Sequence, residues 1–208
     1  DQLLSLKEHF SLGYVKTGIL PTKEHMEVVL EALGKESYLV TDPLLISTSG
    51  RELMDKAAQS FFKEEFLYRV NCLTPNIPEL EFLTGQIFED EESMVREATK
   101  FAEKYRLSLY LKGGHSEEKP SEDYFFDGGQ AWALSAKKLD IRSSHGTGCR
   151  LSSAFLASFA SEKTLLDSAI QAKAYVYESL GQCKAYGGLY LMSSISHCDN
   201  NQITVREL

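Results

Sequence analysis

Apolar side chains recur at helical spacing in several parts of the chain. Residues 23–33 and 91–105 place them three or four positions apart, which predicts amphipathic helices there. The same spacing, or a favourable start residue, predicts further helices at 3–10, 51–62, 148–160 and 164–180. Between them lie short apolar runs that are typical of strands, at 14–20, 38–40, 70–74 and 107–111.

Gly128 and Gly129 separate the segments 123–127 and 130–134, and this arrangement predicts a β-hairpin. Elsewhere strands alternate with helices, which favours an α/β fold with a mostly parallel sheet and helices on both of its faces. A chain of 208 residues is expected to form one domain, so we predict a single unit over 1–208.

Charge and composition argue against several classes of protein. Lys and Arg number 22 and Asp and Glu number 30, so the net charge is −8, which disfavours nucleic acid and anionic membranes as partners. No apolar run reaches the roughly 18 residues that a transmembrane helix needs. Four widely spaced cysteines form no CxxC pair, which favours reduced thiols and a cytoplasmic location over a disulfide framework or a zinc site.

Polar and charged residues follow three of the predicted strands, in the segments 42–43, 74–76 and 112–115. The first two segments contain a proline, which cannot donate to a sheet and so helps to end a strand. In open α/β sheets, ligands bind outside the carboxyl ends of the strands. The three segments therefore predict one ligand site at one edge of the sheet.

A glycine-containing turn precedes the helix predicted at 148–160. Around Gly146, Thr147 and Gly148 the backbone can approach a ligand closely, and the helix start offers N–H groups and the positive end of a dipole to a phosphate. The same dipole is expected to favour the thiolate of Cys149, which would then serve as a base towards a substrate hydroxyl. The alternative is a tight strand-to-helix turn followed by a buried cysteine.

Asn76 and Glu79 are three residues apart and share a face at a helix start, where their oxygens suit the water shell of Mg²⁺. Lys112 can reach phosphates as a point charge, and Asp42 can bind metal or orient a hydroxyl. Each has a structural alternative: helix capping for Asn76 and Glu79, solvent exposure for Lys112 and a turn for Asp42.

These residues together supply what phosphoryl transfer needs, namely a metal site, a phosphate clamp, a stabiliser of developing charge and a base. Two histidines, His115 and His145, lie in the same segments. We expect them to hydrogen-bond loop backbone rather than to take part in the chemistry.

The motifs occur in an order similar to that of the hydroxymethylpyrimidine/phosphomethylpyrimidine kinases of thiamine biosynthesis, in the ribokinase superfamily. They are KTGIL (16–20), DPLL (42–45), SG (49–50), TPNIPE (74–79), KGGH (112–115) and HGTGC (145–149). The resemblance runs from about residue 1 to about residue 183. It implies a ribokinase-like fold and ATP- and Mg²⁺-dependent phosphorylation of a hydroxymethylpyrimidine and of its monophosphate.

The resemblance also implies roles for individual residues. The base would be Cys149, and the anion hole would be formed by Gly146, Thr147 and Gly148. ATP would be contacted by Lys112 and Thr147, Mg²⁺ would be organised by Asn76 and Glu79 with Asp42 nearby, and Leu44 would line the pyrimidine pocket. Members of the family are often homodimers, so a homodimer is expected here.

The chain also departs from the family pattern. It opens where the family is already approaching its Lys-Thr-Gly segment, so we expect an N-terminal portion that carries substrate contacts to be missing. Arg150 stands where threonine is common, and residues 184–208 match poorly, as an extension or a variant edge element would. Pyridoxal kinase is therefore an alternative activity, and a non-catalytic nucleotide- or pyrimidine-binding protein is another.

Overall fold

The computed structural model describes residues 2–45, 53–113, 121–139, 146–186 and 189–208, which form seven α-helices and nine β-strands. The helices are α1 (Gln2–His9), α2 (Lys23–Ala32), α3 (Lys56–Glu64), α4 (Ile77–Thr84), α5 (Glu91–Tyr105), α6 (Thr147–Phe159) and α7 (Leu165–Gly181). The strands are β1 (Tyr14–Thr17), β2 (Tyr38–Thr41), β3 (Cys72–Leu73), β4 (Ser108–Leu111), β5 (Ser121–Asp127), β6 (Gln130–Ala136), β7 (Lys184–Tyr186), β8 (Leu189–Leu191) and β9 (Thr204–Glu207).

Seven of these strands form one mixed sheet in the order β1-β2-β3-β4-β5-β6-β9. Strands β1 to β4 are parallel, whereas β5, β6 and β9 are joined to the sheet by antiparallel pairs. The predicted hairpin is confirmed, since Gly128 and Gly129 form the β5–β6 turn with φ angles of 57° and 83°. Both angles are left-handed, which explains why glycine occupies both turn positions.

Successive side chains of a strand point to opposite faces of the sheet, so its apolar side chains pack into two cores, one on each face. On β4, Leu109 packs into the core that contains Phe62 and Phe66, and Tyr110 packs into the core that contains Phe125 and Phe155. Helices α2, α3 and α5 cover the first face, and α6 and α7 cover the second. Burying each large apolar side chain contributes about 1.5–3 kcal/mol. The predicted α/β fold with helices on both faces is thus confirmed.

The start of the third helix differs from the sequence prediction. The helix expected at 51–62 begins at Lys56, because the Asp55 carboxylate accepts a hydrogen bond of 2.8 Å from the Ala58 N–H and caps the helix there. The segment expected to match poorly contributes a strand to the main sheet, since β9 pairs with β6 at its edge. This agrees with a variant edge element.

Among the described helices, none combines the length and the apolar character needed to span a bilayer.

Candidate active site

The carboxyl ends of β2, β3 and β4 lie side by side, as the sequence predicts. The Thr74 N–H donates to the Thr41 carbonyl at 2.9 Å, and the Lys112 N–H donates to the Pro75 carbonyl at 2.8 Å. Asn76 and Lys112 form an isolated parallel bridge just beyond the strands. The three segments that carry the candidate residues are therefore brought to one edge of the sheet.

Two carboxylates converge on the Lys112 ammonium at this edge. Its Nζ lies 2.7 Å from Asp42 Oδ1 and 3.9 Å from Glu79 Oε2. The Asp42 side chain is 0% exposed and that of Glu79 is 3% exposed, whereas the Lys112 side chain keeps 16% of its surface accessible. The alternative of a solvent-exposed Lys112 is therefore wrong, and the lysine supplies the cation that a buried carboxylate needs.

Asn76 and Glu79 form a reciprocal cap at the start of α4. Asn76 Oδ1 accepts from the Glu79 N–H, and Glu79 Oε2 accepts from the Asn76 N–H, each at 2.8 Å. The capping alternative is therefore confirmed, and the metal role stays a prediction. Burial raises the pKa of Glu79 above its ordinary value, while the Lys112 charge and the hydrogen bond from the Asn76 N–H oppose that rise.

The N-terminus of α6 meets the ion pair. Gly146 is the residue before the helix and has a left-handed φ of 83°. A Cβ added to Gly148 would lie 3.1 Å from Lys112 Nζ and 3.4 Å from Asp42 Oδ2. The first N–H groups of a helix have no partner within that helix and are suited to an anion. The glycine thus lets these N–H groups come close to the lysine.

Cys149 follows in the first turn of α6, and its side chain is exposed. The alternative of a buried cysteine at this position is therefore wrong. Cys72, in contrast, lies inside the second core, where burial raises the pKa of its thiol. All four cysteines are free in the structure. Of the four, Cys149 is the exposed one beside the cluster of Asp42 and Lys112.

The remaining candidates occupy varied positions. Leu44 has a positive φ of 39°, which is rare for a residue with a side chain, and its methyl carbon Cδ1 would lie 3.6 Å from a Cβ at Gly18.

The Arg150 guanidinium donates to the Ser193 carbonyl at 2.6 Å and so ties the C-terminal segment to α6. His115 and His145 lie outside the described residues.

Sequence reasoning missed a second buried ion pair next to this site. Lys173 Nζ lies 2.8 Å from Asp123 Oδ2, and both side chains are almost fully buried. The other Asp123 oxygen accepts from the Gly113 N–H at 3.0 Å, and Gly113 directly follows Lys112. The available signal was the one lysine of α7, between Ala172 and Ala174 in a largely apolar stretch.

Comparison with known proteins gives a consistent result. Residues 1–190 match the family model described as phosphomethylpyrimidine kinase. Over 192 residues the chain is 35% identical to the hydroxymethylpyrimidine/phosphomethylpyrimidine kinase of Aquifex aeolicus, covering 91% of this chain and 75% of that protein.

Solved structures show the same similarity. Pyridoxal kinase from Staphylococcus aureus in complex with ADP superposes with a TM-score of 0.84 at 25% identity, over 100% of this chain and 77% of the other. Phosphomethylpyrimidine kinase from Clostridium difficile superposes with a TM-score of 0.70 at 26% identity, over 85% and 73% of the two chains. The ribokinase-like fold that the sequence predicts is thus confirmed.

Proposed function

The chain belongs to the phosphomethylpyrimidine kinase family, and we propose that it transfers the γ-phosphoryl group of ATP to the hydroxymethyl group of 4-amino-5-hydroxymethyl-2-methylpyrimidine and then phosphorylates the monophosphate. The observation that carries this proposal is the convergence of the Lys112 ammonium, two buried carboxylates and the N-terminus of α6. Phosphoryl transfer is catalysed mainly by positioning and by stabilising charge, and these groups supply both.

In this proposal each group has one task. Lys112 contacts the phosphates of ATP, with Thr147 beside them. The anion hole formed by Gly146, Thr147 and Gly148 stabilises the charge that builds up on the transferred group. The Cys149 thiolate takes the proton of the substrate hydroxyl as the new O–P bond forms and the bond to the leaving ADP breaks.

The residues at this edge also fit a magnesium ion. Asp42 Oδ2 is buried and has no hydrogen-bond partner among the described residues, and the Glu79 carboxylate lies near the same lysine. The described residues hold no group of three or more His, Cys, Asp or Glu side chains that could bind a metal alone. That suits Mg²⁺, which keeps several waters and shares phosphate oxygens. When bound, Mg²⁺ neutralises charge on the phosphates; Asp42 and Glu79, with Asn76, would orient its waters.

Pyridoxal is a second candidate substrate, since S. aureus pyridoxal kinase superposes over the whole chain with a TM-score of 0.84. Both substrates would offer a hydroxymethyl group to Cys149. In either case we propose that Leu44 lines the ring pocket, where its unusual backbone angle fixes the direction of its side chain.

A direct competition assay tests the proposal. Purified protein is supplied with ATP, Mg²⁺ and equal concentrations of the hydroxymethylpyrimidine and pyridoxal, and the phosphorylated products are separated by chromatography. We expect the pyrimidine monophosphate and then the diphosphate. Predominant pyridoxal phosphate would favour the second candidate. Binding of a non-hydrolysable ATP analogue without either product would favour a non-catalytic binding protein.

We also propose that residues 1–208 act as one domain and that the chain forms a homodimer. A single cooperative unfolding transition in urea would support the first statement, because one domain usually unfolds in one step. Sedimentation velocity at several protein concentrations would test the second, and a purely monomeric species would contradict it.

A further inference from the structure

The Asp123 carboxylate joins three elements behind the candidate active site. Its Oδ1 accepts from the Gly113 N–H at 3.0 Å. Its Oδ2 accepts from Lys173 Nζ at 2.8 Å and from the Tyr110 hydroxyl at 3.2 Å. Asp123 lies on β5, Tyr110 on β4 and Lys173 in the middle of α7. One side chain thus ties the end of β4 to its neighbouring strand and to a covering helix.

This ion pair is costly as a source of stability alone. The Lys173 side chain is 4% exposed and that of Asp123 is 10% exposed. Removing two charges from water costs several kcal/mol per ion, and a well-packed apolar pair of similar volume is often at least as stable. Stability alone therefore does not explain why these two positions carry charged side chains. What an apolar pair could not provide is a hydrogen-bond acceptor for the Gly113 N–H.

Gly113 is held closely at this point. A Cβ on Gly113 would lie 1.8 Å from the Glu122 carbonyl oxygen, so the two backbones are in direct contact. On the other side, the preceding N–H, that of Lys112, donates to the Pro75 carbonyl at 2.8 Å. Consecutive N–H groups are therefore fixed to β5 and to the segment after β3. This fixes the backbone from which the Lys112 side chain reaches Asp42.

We propose that Asp123 and Lys173 are positioning residues for the nucleotide site. Through the Gly113 N–H, Asp123 orients the Lys112–Gly113 backbone, and Lys173 holds the Asp123 carboxylate in place. Neither residue touches the reacting atoms. The inference deepens the proposed function and rests on it, because Lys112 is the group that would meet the phosphates of ATP.

Two matched double variants differ in whether residue 123 offers a hydrogen-bond partner to the Gly113 N–H and to the Tyr110 hydroxyl. Asp123→Asn/Lys173→Met removes both buried charges but leaves an amide oxygen that can accept from Gly113, and its NH₂ can donate to Tyr110. Asp123→Leu/Lys173→Met removes the charges and the acceptor, with a side chain of similar size. Comparing the two variants cancels the cost of deleting the ion pair. Thermal unfolding and circular dichroism establish whether both variants are folded.

Two measurements follow on the wild type and on each double variant. The first is the hydrogen-exchange rate of the Gly113 amide by NMR, without nucleotide. The second is the affinity for a non-hydrolysable ATP analogue by calorimetry. We expect faster exchange and about five- to tenfold weaker binding in the Leu variant than in the Asn variant, as for the loss of one hydrogen bond. In turnover assays this difference would appear in KM for ATP more than in kcat.

The other outcomes separate a failure of the positioning role from a failure of the proposed function. Equal nucleotide affinity in two folded double variants would overturn the positioning role, even where the wild type binds and phosphorylates normally. A Leu variant that does not fold would be replaced by Asp123→Ala/Lys173→Met, which also lacks an acceptor at position 123, and the same comparison would apply. A wild type that binds no nucleotide would overturn the proposed function, and the positioning role with it.

Discussion

The Lys112 ammonium lies 2.7 Å from Asp42 Oδ1, although seventy positions separate the two residues in the sequence. It neutralises a carboxylate that has no access to solvent, and it keeps part of its own surface open beside Gly148. The same cation therefore stabilises the fold and is available to a phosphate. In the proposed function, stability and nucleotide binding are thereby linked at a single side chain.

We expect Lys112→Met to lower both nucleotide affinity and stability. Removing one partner of a buried ion pair costs about 3–5 kcal/mol, because Asp42 would be left as an uncompensated charge. Urea unfolding measures the loss of stability, and calorimetry with a non-hydrolysable ATP analogue measures the loss of binding.

The double variant Asp42→Asn/Lys112→Met separates the two effects. It should recover part of the unfolding free energy, since the buried Asp42 charge is gone and only the Glu79 carboxylate still lacks the lysine, while nucleotide binding stays weak. If the double variant regained wild-type affinity, Lys112 would serve the fold alone.

Cys149→Ser is expected to reduce turnover by about 10²–10⁴, the usual contribution of a general base. Serine keeps the size of the side chain but is a far weaker acid than cysteine. Nucleotide affinity should hardly change, because backbone N–H groups form the anion hole. Steady-state kinetics and calorimetry on full-length protein measure the two quantities.

Cys149→Asp provides the matched test, since a carboxylate is also a base, and part of the turnover should return. Wild-type turnover in the serine variant would show that Cys149 only fills space.

Replacement by alanine is expected to have different consequences at two glycines, Gly113 and Gly148. Gly113→Ala should impair folding, because its Cβ would lie 1.8 Å from the fixed carbonyl oxygen of Glu122. Gly148→Ala should leave the fold largely intact, because its Cβ meets the far end of the flexible Lys112 side chain at 3.1 Å. Displacing Lys112 should instead raise KM for ATP.

Thermal unfolding and ATP kinetics on both variants check this contrast. A Gly148→Ala protein with unchanged KM for ATP would place the phosphates away from Lys112.

Glu79→Gln is expected to stabilise the protein at neutral pH. Burial raises the pKa of Glu79, so the native state binds the proton more tightly than the unfolded state does, and ionisation costs folding free energy. This cost is absent below the ordinary pKa of 4.5 and is complete above the raised native pKa. Glutamine avoids it and still accepts from the Asn76 N–H.

Urea unfolding between pH 4 and pH 8 measures the effect, and the advantage of the variant should shrink as the pH falls. If the difference in unfolding free energy between the variant and the wild type did not depend on pH, it would arise from packing and not from the ionisation of Glu79. In activity assays the same variant should need more Mg²⁺, because a charged oxygen near the metal would be lost.

Local sequence signals predicted most of the sheet and the candidate site residues that follow its parallel strands. Prolines and glycines end β2, β3 and β4, so the positions of Asp42, Asn76 and Lys112 at strand ends could be predicted. The pairing of Asp123 with Lys173 could not be predicted, because the two residues are fifty positions apart and a lone lysine on a helix is normally exposed. The capping of α4 was visible in the Asn76 and Glu79 spacing but did not exclude a metal role.

The edge strand β9 has a consequence for how the chain acquires its shape during synthesis. Thr204 of β9 pairs with Ser135 of β6. During synthesis β6 therefore leaves the ribosome before β9, because α6 and α7 have to be made between them. Until then β6 presents unpaired N–H and C=O groups, and such an edge can pair with another nascent chain. The edge of β6 is therefore covered only once residues 204–207 have been made and pair with it.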